Sequence, residues 1–235
     1  MSSLAAWLPD MSRWIVAPVL LPLAIAALML LVKERDRHIK SAINMISTLA
    51  GLILSVLLLV WVDSQPTMYG VYLAGNWQAP FGITLVLDRL SALMLVLTGI
   101  VGLASLSYAL ARWHHAGVQF HVLFQLQLMG LYGAFLTADL FNLFVFFEVM
   151  LAASYGLLLH GGGRARVRAG LHYVAVNLVA SLLFLIGVAV IYGVTGTLNM
   201  ADIARNLPLV ATHDRGLLHA GAAILALAFL VKAAQ

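Results

Sequence analysis

The amino-acid sequence predicts an all-α integral membrane protein, built as a bundle of about seven transmembrane helices. Of the 235 residues, 63% are hydrophobic and 9% are charged. A soluble domain has about 25% charged residues, so this chain has too few polar side chains to cover a globule in water. Long apolar runs also recur along the chain, each close to the roughly 20 residues that a helix needs to cross a bilayer.

Seven membrane spans are predicted, and together they form a single membrane domain over 1–235. The N-terminus lacks the basic residues of a cleavable signal peptide, and the first apolar run is long enough to be a true span. The fourth and fifth runs are separated only by a turn around Asp139, which predicts an antiparallel pair of helices. The segment 63–87 contains prolines and glycines and predicts a loop folded over the surface. The predicted spans are 14–32, 41–62, 88–111, 119–138, 140–160, 170–193 and 217–235.

The distribution of basic residues predicts the orientation of the chain. Lysine and arginine cluster in the loops 33–40, 112–118 and 161–169, whereas the alternate loops contain few of them. Because basic loops stay on the cytoplasmic side, these three loops are predicted to be cytoplasmic and the N-terminus external, in a bacterial plasma (inner) membrane. This topology explains the net charge of +4 better than a nucleic-acid partner does.

Glu148 is a carboxylate in the middle of an apolar run. At 1.5 Å per residue it lies about 13 Å from Asp139 and about 18 Å from His160, close to mid-membrane. An ionised carboxylate at that depth is costly unless it is paired or protonated, and such groups typically mark ion or proton pathways. The alternative is a protonated side chain that only hydrogen-bonds a neighbouring helix.

Lys232 lies in the last predicted span, about 22 Å along it from Leu217. Burial and a nearby carboxylate act in opposite directions on the proton affinity of a lysine, so a buried, paired lysine can load and release a proton. The alternative is that Lys232 extends to the cytoplasmic surface as an anchor at the end of its helix. The residues alone leave both interpretations open.

Further polar side chains fall on shared helix faces, at spacings near four residues. Each of them can order water or form an interhelical hydrogen bond, and the bond alone explains any single one. The two histidines nearest the predicted cytoplasmic ends can relay protons or lie at the membrane interface. The candidates are Tyr173, Asn177 and Ser181 in the sixth span, His121 and Gln125 in the fourth with Tyr132 on the same face, and the two histidines His160 and His172.

The sequence lacks the motifs of common soluble enzymes. It contains no phosphate loop, dinucleotide fingerprint, histidine–glutamate metal motif or nucleophile elbow. It has no cysteine, which excludes disulfides and thiolate metal sites. No cofactor or metal is expected, and the missing motifs give no indication of an enzyme.

The stretch 139–162, which contains Glu148, resembles the fifth helix of the proton-translocating antiporter-like subunits. Multisubunit Mrp cation/proton antiporters and respiratory complex I share these subunits. The stretches Tyr173–Ser181 and Tyr192–Asp202 resemble the D subunit of the Mrp (also Pha, Mnh or Sha) antiporter, and Leu87–Ser91 resembles the start of the family's third helix. The resemblance covers nearly the whole chain.

The resemblance implies roles for two residues. Glu148 matches the family's essential fifth-helix glutamate and Lys232 its seventh-helix lysine, which form an ion pair that gates proton movement along a hydrated axis. Family members are about twice as long, with an interrupted seventh helix and a second, inverted repeat of the kind that builds midplane ion sites. The chain therefore resembles an N-terminal half, and it is expected to be a truncated product or an incomplete sequence that does not transport alone.

The resemblance also implies a function. The chain is expected to be a membrane subunit of a monovalent cation (Na⁺ or K⁺)/proton antiporter, with other antiporter subunits, protons, monovalent cations and lipid as its partners. One alternative is a proton-pumping subunit of a respiratory NADH–quinone oxidoreductase or a membrane hydrogenase. Another is a structural or assembly subunit, in which both charges serve helix packing.

Overall fold

The computed structural model describes residues 11–33, 36–78, 80–112 and 119–233. Within these ranges the chain forms seven long helices, one short α-helix and one β-hairpin. The long helices are α1 Ser12–Leu31, α2 Arg37–Ser64, α3 Arg89–Arg112, α4 Phe120–Leu136, α5 Leu140–Leu158, α6 Arg164–Thr195 and α8 Arg215–Lys232. The remaining elements of the described residues include the strands β1 Tyr69–Leu73 and β2 Thr84–Asp88, the short helix α7 Met200–Asn206, and the 3₁₀ turns Ala74–Asn76 and Leu207–Leu209.

The long helices have the length and composition of membrane spans. Within the described part of the chain, six are long and apolar enough to cross a bilayer, and α4 is a shorter apolar helix of 17 residues. At 1.5 Å per residue α4 is about 26 Å long, slightly less than the roughly 30 Å of a hydrocarbon core. Helices suit lipid because they pair their own backbone groups. The structure confirms the predicted all-α membrane bundle.

Two predicted loops are shorter than expected because the helices that follow them begin early. α6 starts at Arg164, inside the predicted loop 161–169, and α2 starts at Arg37, inside the predicted loop 33–40. The prediction ended these spans where charge begins, but arginine is a good helix former and a helix can extend past the bilayer. The connection before α6 is residues 159–163, and its three glycines at 161–163 all have positive φ. Residues 34–35, 113–118 and 234–235 of the predicted loops and last span lie outside the described residues.

The segment 63–87 is more regular than the predicted loop. β1 and β2 pair antiparallel, with Tyr69 opposite Asp88 and Leu73 opposite Thr84. The strands are short and flank a connection that contains glycine and proline, so the composition of the segment conceals the pairing. The hairpin packs against the first turn of α1 and covers one end of the bundle.

The connections at this end of the bundle are joined by backbone contacts. β2 bridges to the α4–α5 turn between Leu85 and Thr137, and that turn bridges to the residue before α7 between Asp139 and Asn199. We call this the hairpin end, after β1 and β2. The opposite end, at which α2 and α6 begin, is called the basic end.

Small residues let α6 and α8 pack closely along their length. A Cβ atom added to Gly187 would lie 3.0 Å from the carbonyl oxygen of Gly221 and 3.0 Å from the backbone nitrogen of Leu225. Small residues at such positions allow helix backbones to approach one another in lipid. Because α6 also contacts α5, the three helices meet midway along α5.

Candidate ion-pair site between three helices

Three side chains from α5, α6 and α8 meet inside the bundle. Glu148 comes from α5, Ser181 from α6 and Lys232 from the last residue of α8. Glu148 lies about 12 Å from the start of α5 at Leu140 and about 15 Å from its end at Leu158. The three side chains are therefore at the middle depth of α5, and we call them the charged triad.

The charged triad is joined through the serine hydroxyl. Lys232 Nζ lies 3.9 Å from Glu148 Oε1. It donates a hydrogen bond to Ser181 Oγ at 3.1 Å, and the Ser181 hydroxyl donates to Glu148 Oε1. A hydroxyl can donate one hydrogen and accept others at the same time, so Ser181 satisfies both charged partners at once.

The surroundings of the triad favour a paired lysine. The Lys232 side chain is 10% exposed, and the Glu148 side chain is 37% exposed in the isolated chain. The Lys232 amine also lies 5.5 Å from the centre of the Phe147 ring, where the negative face of the ring attracts a cation. A buried ammonium needs such partners because it has lost its water.

The depth of Lys232 separates the two interpretations left open by the sequence. α8 ends at Lys232, but its amine lies beside Glu148, which is at the middle of α5. A lysine that anchors a helix at the surface would direct its amine toward the headgroups. The structure instead directs the amine of Lys232 into the bundle, against Ser181 and Glu148.

Aromatic rings cover the triad on the side of the hairpin end. Phe144 precedes Glu148 by one turn of α5, Phe184 follows Ser181 toward the hairpin end of α6, and Phe229 precedes Lys232 on α8. The ring centre of Phe184 lies 5.4 Å from the ring centre of Phe229, 5.9 Å from that of Phe144 and 6.0 Å from that of Phe147. We call these four rings the aromatic layer. These rings place apolar groups between the triad and the hairpin end.

A cavity lies beside the triad. Phe147 and Phe229 of the aromatic layer form part of its lining, and it extends along α6 to His172, toward the basic end. It has a volume of about 580 Å³, and Lys232, His172, Tyr173 and Asn177 are among the residues that line it. The Asn177 amide donates to the backbone carbonyl of Tyr173 at 2.9 Å. The predicted polar face of α6 is therefore divided, since Ser181 contacts the charges and the other two residues line the cavity beside Lys232.

The polar residues of α4 do not join the triad. His121 Nδ1 lies 2.9 Å from the Asn44 amide nitrogen, and the Gln125 amide donates to Asn44 Oδ1 at 2.6 Å. Ser47 donates to Gln125 Oε1 at 3.3 Å, and Thr48 lies 3.3 Å from the Gln125 amide. We call these five residues the α2–α4 polar cluster. All of them are buried, which agrees with interhelical hydrogen bonding as their role.

The remaining sequence candidates also lie apart from the triad. His160 is buried at the basic end, its ring 5.4 Å from that of Phe120, and Arg166 donates to its backbone carbonyl. Tyr132 is buried within the core between α2 and α4. The structure therefore brings Ser181, Tyr173, Asn177 and His172 to the site, and it leaves His160, His121 and Gln125 elsewhere.

Sequence reasoning missed two groups of residues. The α2 side of the α2–α4 polar cluster has a visible signal, because Asn44, Ser47 and Thr48 fall on one helix face at spacings of three and four. The aromatic layer has no comparable signal, because phenylalanines are common in any membrane span. Only the packing of α5, α6 and α8 places the four rings together.

Comparisons with known proteins agree with this fold. Residues 137–235 match the family model described as "NADH:quinone oxidoreductase/Mrp antiporter, TM". The chain is 60% identical to the D subunit of a probable K⁺/H⁺ antiporter of Rhizobium meliloti over 95% of its own length and 43% of that protein. It is 39% identical to the D subunit of a Na⁺/H⁺ antiporter of Alkalihalophilus pseudofirmus, over 94% of its own length and 44% of that protein.

Solved structures give the same result. A chain of the Mrp complex from Dietzia sp. superposes with a TM-score of 0.82 at 32% identity, over 94% of this chain and 41% of that one. A chain of the membrane-bound sulfane sulfur reductase, an archaeal respiratory membrane complex, superposes with a TM-score of 0.80 at 26% identity, over 94% and 44%. The chain thus spans less than half the length of these relatives.

The fold is that of an antiporter-like membrane subunit, in which apolar helices bring a pair of opposite charges together. The chain belongs to the family of such subunits shared by NADH:quinone oxidoreductase and Mrp antiporters, and within it resembles the N-terminal portion of the Mrp D subunit.

Proposed function

We propose that this chain is part of a membrane subunit of a monovalent cation/proton antiporter, and that protons move through Glu148 and Lys232. Supporting evidence comes from the charged triad, since two opposite charges meet at mid-helix depth beside a cavity. The similarity to K⁺/H⁺ and Na⁺/H⁺ antiporter subunits points the same way. The subunit lies in the bacterial inner membrane with the basic end cytoplasmic, and it works in a complex with other antiporter subunits.

The proposed mechanism uses the ion pair as a switch. Two unit charges 3.9 Å apart attract by about 4 kcal/mol at an effective dielectric constant near 20. Solvent reduces this attraction where Glu148 is exposed. When the carboxylate is close, Lys232 holds its proton firmly, and when the pair loosens or Glu148 is neutralised, the amine releases it. A change in the pairing is therefore sufficient to load and unload a proton at mid-membrane depth.

The asymmetry around the triad gives this switch a direction. From Lys232 the cavity extends along α6 past Asn177 and Tyr173 to His172, toward the basic end. The aromatic layer separates the triad from the hairpin end. We infer that the proton site exchanges with the basic end through this cavity, and that the rings hinder access of water from the hairpin end.

The test is cation-dependent proton flux in vesicles that contain the full-length protein in its complete antiporter assembly. Glu148→Gln keeps the shape of the side chain but removes its charge, and flux should fall by about a hundredfold or more, as expected when an essential proton-transfer group is lost. The matched control is Asp63→Asn, which removes the carboxylate of an exposed ion pair with Arg89. The control should retain normal flux, and normal flux in Glu148→Gln would overturn the proposal.

One observation favours a respiratory alternative, because the fold also matches a chain of an archaeal respiratory membrane complex. In that case the same charges would serve proton pumping driven by electron transfer. Purification of the native complex distinguishes the two functions. Iron–sulfur subunits that co-purify with the full-length protein would indicate the respiratory function, and their absence together with cation-dependent flux would indicate antiport. Flux that survives loss of Glu148 alongside failed assembly would instead indicate a structural subunit.

A further inference from the structure

The Lys232–Glu148 pair contains a gap that a direct hydrogen bond does not close. Nζ and Oε1 are 3.9 Å apart, which exceeds the usual length of about 2.7–3.2 Å for an N–H···O bond. The Ser181 hydroxyl occupies the gap and contacts both groups. We propose that Ser181 is a relay residue through which a proton passes between Lys232 and Glu148, an inference that rests on the proposed function of the pair.

Ser181 uses its hydroxyl differently from many other helix hydroxyls of this chain. A serine or threonine inside a helix commonly donates to the carbonyl four residues earlier. Ser181 is 2% exposed, yet its hydrogen goes to a carboxylate on another helix. Its position is therefore set by the packing of α6 between the two charges. The hydroxyls that follow the common pattern include Thr48, Ser55, Thr98, Ser107 and Thr195.

The hydroxyl can reverse its direction because it has one hydrogen and two acceptor positions. In the ionic state Lys232 donates to Ser181, and Ser181 donates to Glu148. In the transfer, one N–H bond of Lys232 breaks while that proton forms an O–H bond at Ser181. The original O–H bond of Ser181 breaks, and its proton forms an O–H bond at Glu148. The products are a neutral amine and a neutral carboxylic acid, and no further reactant is needed.

Both end states contain two hydrogen bonds, with the donor direction reversed. In the product state Glu148 donates to Ser181, and Ser181 donates to Lys232. Neither charged side chain has to cross the gap, so the exchange does not require the helices to move. This is why a hydroxyl at this position supports transfer, whereas a methyl group of similar size leaves two charges separated by 3.9 Å.

The test compares Ser181→Ala with Ser181→Thr in the full-length protein within its complete assembly, with proton flux measured in H₂O and in D₂O. Loss of the relay should lower flux by at least about tenfold, whereas threonine, which keeps the hydroxyl, should stay within about threefold of wild type. The solvent isotope effect should rise in Ser181→Ala, because proton transfer then limits the rate. Ser55→Ala is the matched control, since it also removes a buried helix hydroxyl, one that bonds the Gly51 carbonyl.

The outcomes distinguish failure of the Ser181 relay from failure of the proposed function of the Glu148–Lys232 pair. Equal flux and an unchanged isotope effect in Ser181→Ala and Ser55→Ala would overturn the relay. If Glu148→Gln abolishes flux while Ser181→Ala does not, the pair stands and the relay fails. If Glu148→Gln leaves flux intact, the proposed function itself fails. Should Ser181→Ala not assemble, Ser181→Gly replaces it, because glycine also lacks the hydroxyl. A tenfold loss in the glycine variant supports the relay, and wild-type flux overturns it.

Discussion

The charged triad and the α2–α4 polar cluster are both polar groups buried among apolar helices, but they differ in charge and in access. In the α2–α4 polar cluster, amide, hydroxyl and imidazole groups pair with one another and leave little exposed surface, with Asn44 at 0% and Gln125 at 1%. The charged triad contains two ionisable groups of opposite sign and borders a cavity. A network of hydrogen-bonded polar groups holds helices together, whereas a pair of opposite charges beside a cavity can exchange protons.

The largest expected effect comes from substitutions in the charged triad. Lys232→Gln should lower cation-dependent proton flux by about a hundredfold, and the double variant with Glu148→Gln should be no worse, because residues that act as a unit lose function together. Lys232→Arg retains the charge but not the compact ammonium, so it should recover flux only in part. The measurement is flux per assembled complex in vesicles. Losses that multiply in the double variant would show that the two residues act independently.

The next effect concerns the aromatic layer. Phe184 is fully buried among the other three rings, and Phe184→Ala would leave a cavity next to the triad. Water could then reach the charges from the hairpin end, so proton leak without a cation gradient should rise several-fold. Phe184→Leu fills most of the space and should leak less. An assembled Phe184→Ala complex that leaks no more than wild type would contradict a sealing role.

A smaller effect is expected in the α2–α4 polar cluster. Gln125→Leu removes the amide that donates to Asn44 Oδ1 and the oxygen that accepts from Ser47. Unsatisfied buried groups of this kind cost about 1–3 kcal/mol, so thermal stability of the purified complex should fall. Flux per assembled complex should remain within about twofold of wild type, because the triad is untouched. Stable complexes with strongly reduced flux would mean that this cluster also takes part in transport.

The smallest effect concerns Asp139 in the α4–α5 turn. Burial raises the pKa of Asp139, and hydrogen bonds from the backbone N–H groups of Asn142 and Phe141 offset this only in part. The folded state thus binds the proton more tightly than the unfolded state, and this contribution to stability is lost as the pH rises through the raised pKa. Asp139→Asn keeps a helix-capping oxygen. It should weaken the dependence of the melting temperature on pH. An unchanged pH profile would contradict this.

The sequence predicts the membrane bundle and the mid-helix position of Glu148 well, because both follow from local properties. Apolar length identifies the spans, and depth along one helix identifies Glu148. The sequence alone could not decide whether Lys232 is a buried, paired lysine or a surface anchor. Its depth relative to Glu148 depends on how α8 packs against α5, which the sequence does not show. Ser181 was found by its spacing from Asn177, but its contact with both charges arises only from the tertiary structure.

The hairpin and the two misplaced helix starts have other causes. β1 and β2 lie around a glycine- and proline-containing connection, so short strands there resemble an irregular loop. The starts of α2 at Arg37 and α6 at Arg164 were missed because charge marks where the lipid ends, and the helix continues beyond it. His121 and Gln125 share a face in α4 as predicted, but the partner of that face is α2 and not the site.

The most direct test of the central claim is proton flux per assembled complex, measured side by side for Glu148→Gln and Gln125→Leu in the full-length assembly. Both substitutions remove polar function from the interior of the bundle, one in the triad and one in the α2–α4 polar cluster. The account predicts that flux is lost in Glu148→Gln and retained in Gln125→Leu, which is instead less stable. Retained flux in Glu148→Gln would contradict the claim that protons move through the charged triad.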